Sequence, residues 1–244
     1  MPFATTRFEQ REHLDGLAET HVIRETAAEV ERAQEVKPAE TFLLICTQLA
    51  FERIDRFSGF DAAVYYSLIR HLKPQRVIEI GGGYSTQLAA KALRGNGKLI
   101  CIEPYPERLN GVGPSVELIQ KRVEEIDVDF FSCLEAGDIL FIDSSHAVKF
   151  GSDVCYEFLQ LLPRLAPGVW IHVHDIFFPH DYPAEWLLER RMALNEQYLL
   201  EAFLSFNEKF QVALANNWLC LDHPDKAARL WPNGGSSFWM KRVA

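Results

Sequence analysis

Apolar runs of five to eight residues alternate with segments of helical periodicity along most of this chain of 244 residues. The runs predict five buried strands, at 76–80, 98–103, 116–120, 138–143 and 168–175. Helical spacing predicts helices at 61–71, 87–94, 153–162 and 183–206. In the last of these helices, one apolar face is traced by Leu187, Leu194, Tyr198, Ala202 and Phe206. Strands that alternate with helices are typical of an α/β fold with a parallel sheet.

Both ends of the chain depart from this alternation. An amphipathic helix is predicted at 8–36 and a more apolar helix at 39–57, so residues 1–59 are expected to form a helical arm or lid and residues 60–244 the main domain. The apolar second helix is a candidate surface for a homodimer. Two last strands, at 210–214 and 236–242, are joined by a connection with no room for an obvious crossover helix. We expect them to pair antiparallel and to close a mostly parallel sheet.

The first strand runs into three glycines, Gly81, Gly82 and Gly83, and then into a helix. This order exposes backbone N–H groups and the positive end of a helix to a ligand that carries a carboxylate or a phosphate. Glu103 ends the second strand about twenty residues further on, where it can bind the two hydroxyls of a ribose. These features favour a nucleoside ligand. The sixth position of the turn is Thr86 instead of the glycine of dinucleotide sites, which argues against NAD and FAD.

The segment Glu79-Ile80-Gly81-Gly82-Gly83 resembles the first motif of the class I S-adenosylmethionine-dependent methyltransferases, which is an acidic residue, one spacer and then glycines. The resemblance implies a Rossmann-like fold in which the methionine half of S-adenosylmethionine passes the glycine turn. Ser85 stands where that family has its last glycine. The residues that we assign to the cofactor on this basis are Glu79, Gly81, Gly83, Ser85, Glu103 and Asp143.

Composition narrows the choice of partner and compartment. The formal net charge is −9, and the 25 Lys and Arg residues form no cluster, which argues against DNA or RNA as a partner. The five cysteines are odd in number and set in apolar runs, as expected of reduced, buried thiols in the cytoplasm. No apolar stretch is long enough to span a membrane, and the first residues do not resemble a signal peptide. We therefore expect a cytoplasmic protein with a small-molecule acceptor.

Polar side chains follow the fourth and fifth strands, at the edge where parallel sheets bind ligands. Asp143 ends the fourth strand, and His146 stands three residues beyond it. An imidazole there has the intrinsic pKa to take a proton from a hydroxyl that attacks a sulfonium methyl, so His146 is the candidate general base. His174 and Asp175 end the fifth strand and are further catalytic candidates, which alternation places on opposite faces. His172 lies deeper and is expected to be a core histidine.

The same residues raise the question of a metal. Their arrangement is similar to that of sugar O-methyltransferases acting on macrolide glycosides. By resemblance to metal-dependent members of the family, Asp143 and Asp175 would present carboxylates to a hard divalent ion. Imidazole is a poor partner for magnesium, which argues against a metal. Without an ion, Asp175 would orient a base histidine, and Asp143 would serve the amino group of the cofactor.

The resemblance implies transfer of a methyl group from S-adenosylmethionine to a hydroxyl group of a small molecule, such as a sugar or a secondary metabolite. The segment 177–183, with Glu185 and Trp186, mixes aromatic and polar residues and is the predicted substrate loop. Two alternatives stay open. One is use of the same cofactor for cyclisation or elimination, and the other is a nicotinamide-dependent oxidoreductase, against which Thr86 and the antiparallel closing strands weigh.

Overall fold

The computed structural model of the protein describes residues 59–109, 115–222, 224–228 and 234–244. The helices expected at 8–36 and 39–57, with the arm and the homodimer contact that they would form, lie outside the described residues. None of the described helices combines the length and the apolar character that a membrane crossing requires.

One seven-stranded sheet forms the centre of the described chain. Its strands are β1 (Arg76–Ile80), β2 (Lys98–Ile102), β3 (Val116–Ile119), β4 (Ile139–Ile142), β5 (Trp170–Val173), β6 (Phe210–Ala215) and β7 (Phe238–Arg242). They are ordered β3-β2-β1-β4-β5-β7-β6. Strands β1 to β5 run parallel, and β7 lies antiparallel between β5 and β6. The predicted fold class, a Rossmann-like and mostly parallel sheet closed by antiparallel C-terminal strands, is confirmed.

Helices connect the strands and cover the sheet. The α-helices are α1 (Gly59–Leu72), α2 (Tyr84–Leu93), α3 (Asp153–Tyr156), α4 (Ala184–Leu188), α5 (Glu196–Ser205), α6 (Asn216–Asp222) and α7 (Pro224–Ala228). The chain after α3 stays helical through a π turn at Glu157–Leu161 and a 3-10 turn at Leu162–Arg164. Further 3-10 turns lie at Pro106–Leu109, Val123–Glu125 and Val128–Cys133.

Alternation along the strands divides the core into two layers. In β1, Ile78 belongs to one layer, together with Val154 of α3 and Leu200 of α5. Val77 belongs to the other layer, together with Tyr65 of α1. Because both faces of the central strands are buried, these strands are continuous apolar runs in the sequence. A sheet covered on both faces leaves the carboxyl ends of its strands as the place for a ligand.

The prediction of a single helix at 183–206 is wrong, because the residues between α4 and α5 are not helical. The cause is a contact with the loop after β4. The backbone N–H of Asn195 donates to the carbonyl of His146 at 3.1 Å, and its Oδ1 accepts from the N–H of Val148 at 2.6 Å. These bonds fix the start of α5 beside that loop. The apolar face expected along the segment is absent, since Leu187 and Phe206 are exposed.

The connection between β6 and β7 also differs from expectation, because it holds the two short helices α6 and α7. Helix α6 forms here because it buries Trp218, which is 3% exposed, against the core. The antiparallel pairing expected for the two strands is nevertheless confirmed.

The four cysteines within the described residues are free, as expected of reduced thiols. Cys101 is buried in β2. The expectation of full burial is wrong for Cys133, Cys155 and Cys220, which are only partly buried.

Candidate active site

The glycine turn after β1 is shaped by the close approach of two strand ends. Gly81 has a φ of +83°, and a Cβ there would collide with the carbonyl oxygen of Asp143 at the end of β4. A Cβ on Gly82 would collide with the Sγ of Cys101, whereas a Cβ on Gly83 would meet nothing within 4 Å. Gly83 therefore borders open space at the start of α2, where a ligand can lie against the backbone.

Glu103 lies beside this turn, where the sequence placed it. Its carboxylate accepts a hydrogen bond from the N–H of Gly82 at 3.0 Å and another from the N–H of Tyr105 at 2.7 Å. These bonds hold the carboxylate at the carboxyl end of β2, next to the open side of the turn. Its contact with a ribose stays a prediction.

Glu79 supports the turn from the interior. It is fully buried and accepts a hydrogen bond from the hydroxyl of Tyr65 at 2.9 Å. Burial raises the pKa of Glu79 to about 7, although hydrogen bonds from Thr86, Tyr65 and Ser85 oppose the shift. Tyr65 is itself fully buried in the core. Direct contact of Glu79 or Ser85 with a cofactor stays a prediction.

Four side chains meet where β4 and β5 end, and we name them the Asp–His cluster: Asp143, His146, His174 and Asp175. The Nε2 of His146 lies 3.2 Å from Oδ1 of Asp143 and 3.6 Å from Oδ2 of Asp175. The Nδ1 of His174 lies 3.5 Å from Oδ1 of Asp143 and 3.3 Å from Oδ1 of Asp175. The two imidazoles therefore share the same two carboxylates. The sequence named all four residues, and the structure brings them together.

The expectation that His174 and Asp175 lie on opposite faces is wrong. Strand β5 ends at Val173, so strict alternation stops there. Asp175 has a φ of +55°, which turns its carboxylate back toward His174. The hydroxyl of Ser236 donates to this carboxylate at 3.0 Å and holds it in place.

Sequence reasoning missed Glu196, which holds His146 from outside the cluster. Its Oε2 lies 2.8 Å from Nδ1 of His146, and the glutamate side chain is fully buried. With the carboxylate on Nδ1, Nε2 is the nitrogen that faces the cluster. In the sequence, Glu196 stands in the middle of an apparent helix. Only the break before α5, with Asn195 as its signal, would have revealed it.

Asp61 of α1, also missed, lies on the outer side of His174. Its Oδ2 lies 3.7 Å from Nε2 of His174. It accepts hydrogen bonds from the side chain of Asn216 at 2.7 Å and from the N–H groups of Ser236 at 2.9 Å and Ser237 at 3.0 Å. In the sequence, Asp61 is an ordinary acid in the first turn of a helix, and no local signal marks these long-range contacts.

The carboxylates set the protonation of the site. Burial opposes a charge on either imidazole, but the surrounding carboxylates hold the pKa of His146 and of His174 well above the usual value. Burial also opposes a charge on Asp143, but the two imidazoles hold the pKa of that carboxyl well below its usual range. Both histidines therefore carry a proton at neutral pH when no ligand is bound. His146 must lose that proton before it can accept another.

His172 is a core residue, as expected. Its ring stacks on Phe141 with 3.8 Å between centroids, and its Nε2 lies 2.7 Å from the hydroxyl of Ser237. Burial and the neighbouring His174 hold the pKa of His172 well below its usual value. It is a neutral packing residue beneath the Asp–His cluster.

The predicted substrate loop, which follows the Asp–His cluster in the sequence, carries aromatic side chains. The ring of Phe177 meets those of Tyr182 and Trp186 edge-on, at 5.7 Å and 5.1 Å between centroids. Gln197 of α5 ties this loop down, since its Oε1 accepts from the N–H of Phe177 at 2.6 Å. The structure therefore places the loop against the helix that supplies Glu196.

This chain is similar to known methyltransferases in part of its sequence and in its fold. Residues 78–176 fit a family model described as a methyltransferase domain. The matched segment runs from β1 past Asp175, so it includes the glycine turn, Glu103 and the whole Asp–His cluster. This part of the chain, which is less than half of its length, is similar to a methyltransferase domain, and the sheet to which it belongs is Rossmann-like.

Solved methyltransferases share the fold. One is the O-methyltransferase TomG of Streptomyces achromogenes, which is involved in tomaymycin synthesis and was solved in complex with S-adenosylmethionine. It is 16% identical to this chain with a TM-score of 0.53, and the alignment covers 92% of this chain and 100% of that chain. A methyltransferase of Podospora anserina, solved with S-adenosylhomocysteine bound, is 17% identical with a TM-score of 0.51, over 86% and 97% of the two chains. At such low identity the likeness is one of fold.

A closer match in sequence is shorter. An uncharacterised protein of Archaeoglobus fulgidus is 34% identical over 87 residues, which cover 32% of this chain and 39% of that protein. The match therefore spans less than half the length of this relative.

The turn geometry predicts that Gly81→Ala lowers the free energy of unfolding by about 3 kcal/mol. Alanine is strained in the left-handed backbone conformation of this position, and its methyl group would collide with the carbonyl oxygen of Asp143. Gly234→Ala is the control, since its Cβ would meet only the Cβ of Cys220 at 4.0 Å. We expect this control to stay within about 0.5 kcal/mol of the parent protein. Urea unfolding measures both variants, and equal stability of the two would contradict the described contact.

The raised pKa of Glu79 predicts a pH dependence of stability. The folded protein holds the proton of Glu79 more tightly than the unfolded chain does, so this residue lowers stability as the pH rises from 4.5 to about 7. The full effect is about 3 kcal/mol. The free energy of unfolding of Glu79→Gln, relative to that of the parent protein, should therefore increase by about that amount as the pH rises from 4.5 to 8. Urea unfolding measures both proteins across this range. If the carboxyl titrated normally, their free energies of unfolding would change in parallel with pH, which would contradict the prediction.

Proposed function

We propose that this protein transfers the methyl group of S-adenosylmethionine to a hydroxyl group of a small molecule. The observation that supports this most is that the glycine turn and the Asp–His cluster adjoin at one edge of the sheet. Strands β1 and β4 are neighbours, and the N–H of Asp143 donates to the carbonyl of Ile80 at 2.9 Å. A cofactor on the turn would hold its methyl group within reach of an acceptor at the cluster.

The cofactor side of the site offers matching groups for each end of S-adenosylmethionine. Gly83 borders open space at the N-terminus of α2, where N–H groups favour the carboxylate of the methionine half. Glu103 stands at the end of β2, the position from which a carboxylate can accept hydrogen bonds from both ribose hydroxyls. We assign cofactor binding to Gly81, Gly83, Ser85 and Glu103, with Glu79 supporting the turn.

The acceptor side requires a group that makes the oxygen nucleophilic. Methyl transfer from a sulfonium proceeds in line, so the acceptor oxygen has to be aligned and freed of its proton. The Nε2 of His146 faces the cluster because Nδ1 is bonded to Glu196 at 2.8 Å. We assign His146 as the general base that takes the acceptor proton once it has lost its own, and His174 and Asp175 as the side chains that position it.

The lining of the site suits a hydroxylated small molecule, and we propose a sugar or a secondary metabolite as the acceptor. Carboxylates and imidazoles form hydrogen bonds with hydroxyls, and the aromatic loop adds flat apolar surface. The O-methyltransferase of Streptomyces achromogenes with the same fold supports an oxygen acceptor. Within the described part of the chain, no observation favours cyclisation, elimination or nicotinamide chemistry over methyl transfer.

The assignment of the glycine turn leads to a prediction about cofactor binding. Isothermal titration calorimetry with S-adenosylmethionine and S-adenosylhomocysteine should detect one site per chain. Gly83→Ala should weaken both affinities by about tenfold or more, which is about 1.4 kcal/mol, because its methyl group enters the space proposed for the cofactor. Thermal unfolding of the free variant should be unchanged. Parent-like affinity of Gly83→Ala would place the cofactor elsewhere, and Gly234→Ala serves as the matched control.

The assignment of the general base leads to a prediction about His146. His146→Ala should lower kcat by about 10² to 10³, the usual loss for a group that handles the acceptor proton. Its affinity for S-adenosylmethionine should stay within about twofold of the parent value, since the residue lies on the acceptor side. S-adenosylhomocysteine release with a panel of sugars and phenols measures turnover. His71→Ala, a surface histidine change, is the control. Full turnover of His146→Ala would remove this residue from the mechanism.

A further inference from the structure

We propose that Glu157, on the π turn after α3, is a positioning residue that acts on His146 through Ser144 and Glu196. This assignment rests on the proposed function, because it takes His146 as the general base. Glu157 stands outside the Asp–His cluster, in the middle of the helix that the sequence predicts at 153–162. Its side chain is fully buried. A buried carboxyl group is costly unless hydrogen bonds compensate it, and the surroundings of this one lead to His146 by two routes.

The first route is the loop that carries His146, which is held by two acids from one helical segment. Asp153 and Glu157 are one turn apart, since the N–H of Glu157 donates to the carbonyl of Asp153. The carboxylate of Asp153 accepts from the hydroxyl of Ser145 at 2.6 Å and from its N–H at 2.9 Å. The hydroxyl of Ser144 donates to Oε2 of Glu157 at 3.0 Å. The two residues before His146 are therefore both bound to this segment.

His146 depends on such support because its backbone is left-handed. Its φ is +57°, a conformation that residues other than glycine rarely adopt and that persists only where surrounding contacts enforce it. The bonds of Ser144 and Ser145 are among these contacts, together with the bond from the N–H of Asn195 to the carbonyl of His146 at 3.1 Å. Loss of the bond between Ser144 and Glu157 would loosen this loop and, with it, the imidazole.

The second route passes through α5. The π turn packs against this helix, since the rings of Phe158 and Phe203 meet edge-on with 6.0 Å between centroids. Glu196 begins α5 and places Oε2 at 2.8 Å from Nδ1 of His146. Within the described part of the chain, Oε1 of Glu157 and Oε1 of Glu196 are both buried and have no hydrogen-bond partner. A proton on Glu157 that is donated to Glu196 would satisfy both oxygens.

The charges around Glu157 favour its protonated form. Burial and the carboxylates of Glu196 and Asp153 raise the pKa of Glu157 well above its usual range, although Ser144 and His146 oppose the shift. Burial also raises the pKa of Glu196, but less, because the hydrogen bond and the charge of His146 oppose it. Since Oε2 of Glu157 accepts from Ser144, the proton belongs on Oε1. Glu157 is therefore a neutral donor, and Glu196 keeps the negative charge.

A donor on Glu196 fixes the direction of the imidazole. The hydrogen bond on one ring nitrogen of a histidine decides how the ring lies and which nitrogen is free for chemistry. With Oε1 of Glu196 held by Glu157, its carboxylate cannot rotate, so Oε2 stays on Nδ1 of His146. Nε2 then stays directed toward the Asp–His cluster. Glu157 itself acts only through these neighbours.

Two variants separate hydrogen bonding from packing. Glu157→Gln keeps an acceptor for Ser144 and a donor for Glu196, so its kcat should stay within about threefold of the parent value. Glu157→Met fills a similar volume but offers neither group, and its kcat should fall by about tenfold or more. The affinity of both variants for S-adenosylmethionine should stay within about twofold, because the cofactor lies at the glycine turn. Glu208→Met, at an exposed position, is the control.

Proton NMR of the free protein reads the position of His146 without turnover. A ring N–H that donates to a buried carboxylate resonates downfield of the amide protons, and its loss in His146→Ala assigns the signal. We expect this signal to persist in Glu157→Gln. In Glu157→Met it should broaden or move upfield, because the carboxylate of Glu196 is then free to rotate. Circular dichroism and urea unfolding check that each variant is folded.

The outcomes separate the role of Glu157 from the proposed function. An unchanged signal and parent-like kcat in folded Glu157→Met would overturn the positioning role and leave methyl transfer standing. Equal losses of kcat in Glu157→Gln and Glu157→Met would also overturn it, because they would show a residue that supports packing alone. A signal that changes only in Glu157→Met, in a protein that forms no methylated acceptor, would support the positioning role and overturn the proposed function.

Discussion

The site depends on the mutual compensation of buried charges where β4 and β5 end. A carboxylate or an imidazolium without a partner in this interior would cost several kcal/mol. Asp143 and Asp175 lie on the inner nitrogens of His146 and His174, while Glu196 and Asp61 lie on the outer ones. Because each group is stabilised by the others, loss of one leaves its neighbours buried without a partner. This network therefore holds α1, α5 and the ends of β4 and β5 in one arrangement.

The order of the strands explains why the two proposed binding sites adjoin. The chain passes from β1 outward to β2 and β3, then returns to the other side of β1 to form β4 and β5. The connections therefore diverge between β1 and β4, and a crevice opens at their carboxyl ends. The glycine turn and Glu103 lie on one side of this crevice, and the Asp–His cluster lies on the other. In the proposed function, a fold shared by many enzymes becomes a site for two substrates through the residues at a few strand ends.

The sequence predicts the parts of this arrangement that arise from local pattern. The apolar runs locate the parallel strands, and the residues at their ends supply Glu103 and all four members of the Asp–His cluster. The parts that arise from tertiary contact are not predictable in this way. Asp175 crosses to the face of His174 because its backbone turns left-handed after β5 ends. Glu196 reaches His146 because the loop after β4 interrupts a helix that the local periodicity favours.

The central claim is that the two halves of the crevice act on one methyl group. A crystal structure of the complex with S-adenosylhomocysteine tests it most directly. The account predicts that the ribose lies on Glu103, that the amino-acid end lies at Gly83, and that the sulfur is directed toward His146. Binding of the adenosyl group away from the glycine turn, or a sulfur directed away from the Asp–His cluster, would contradict it.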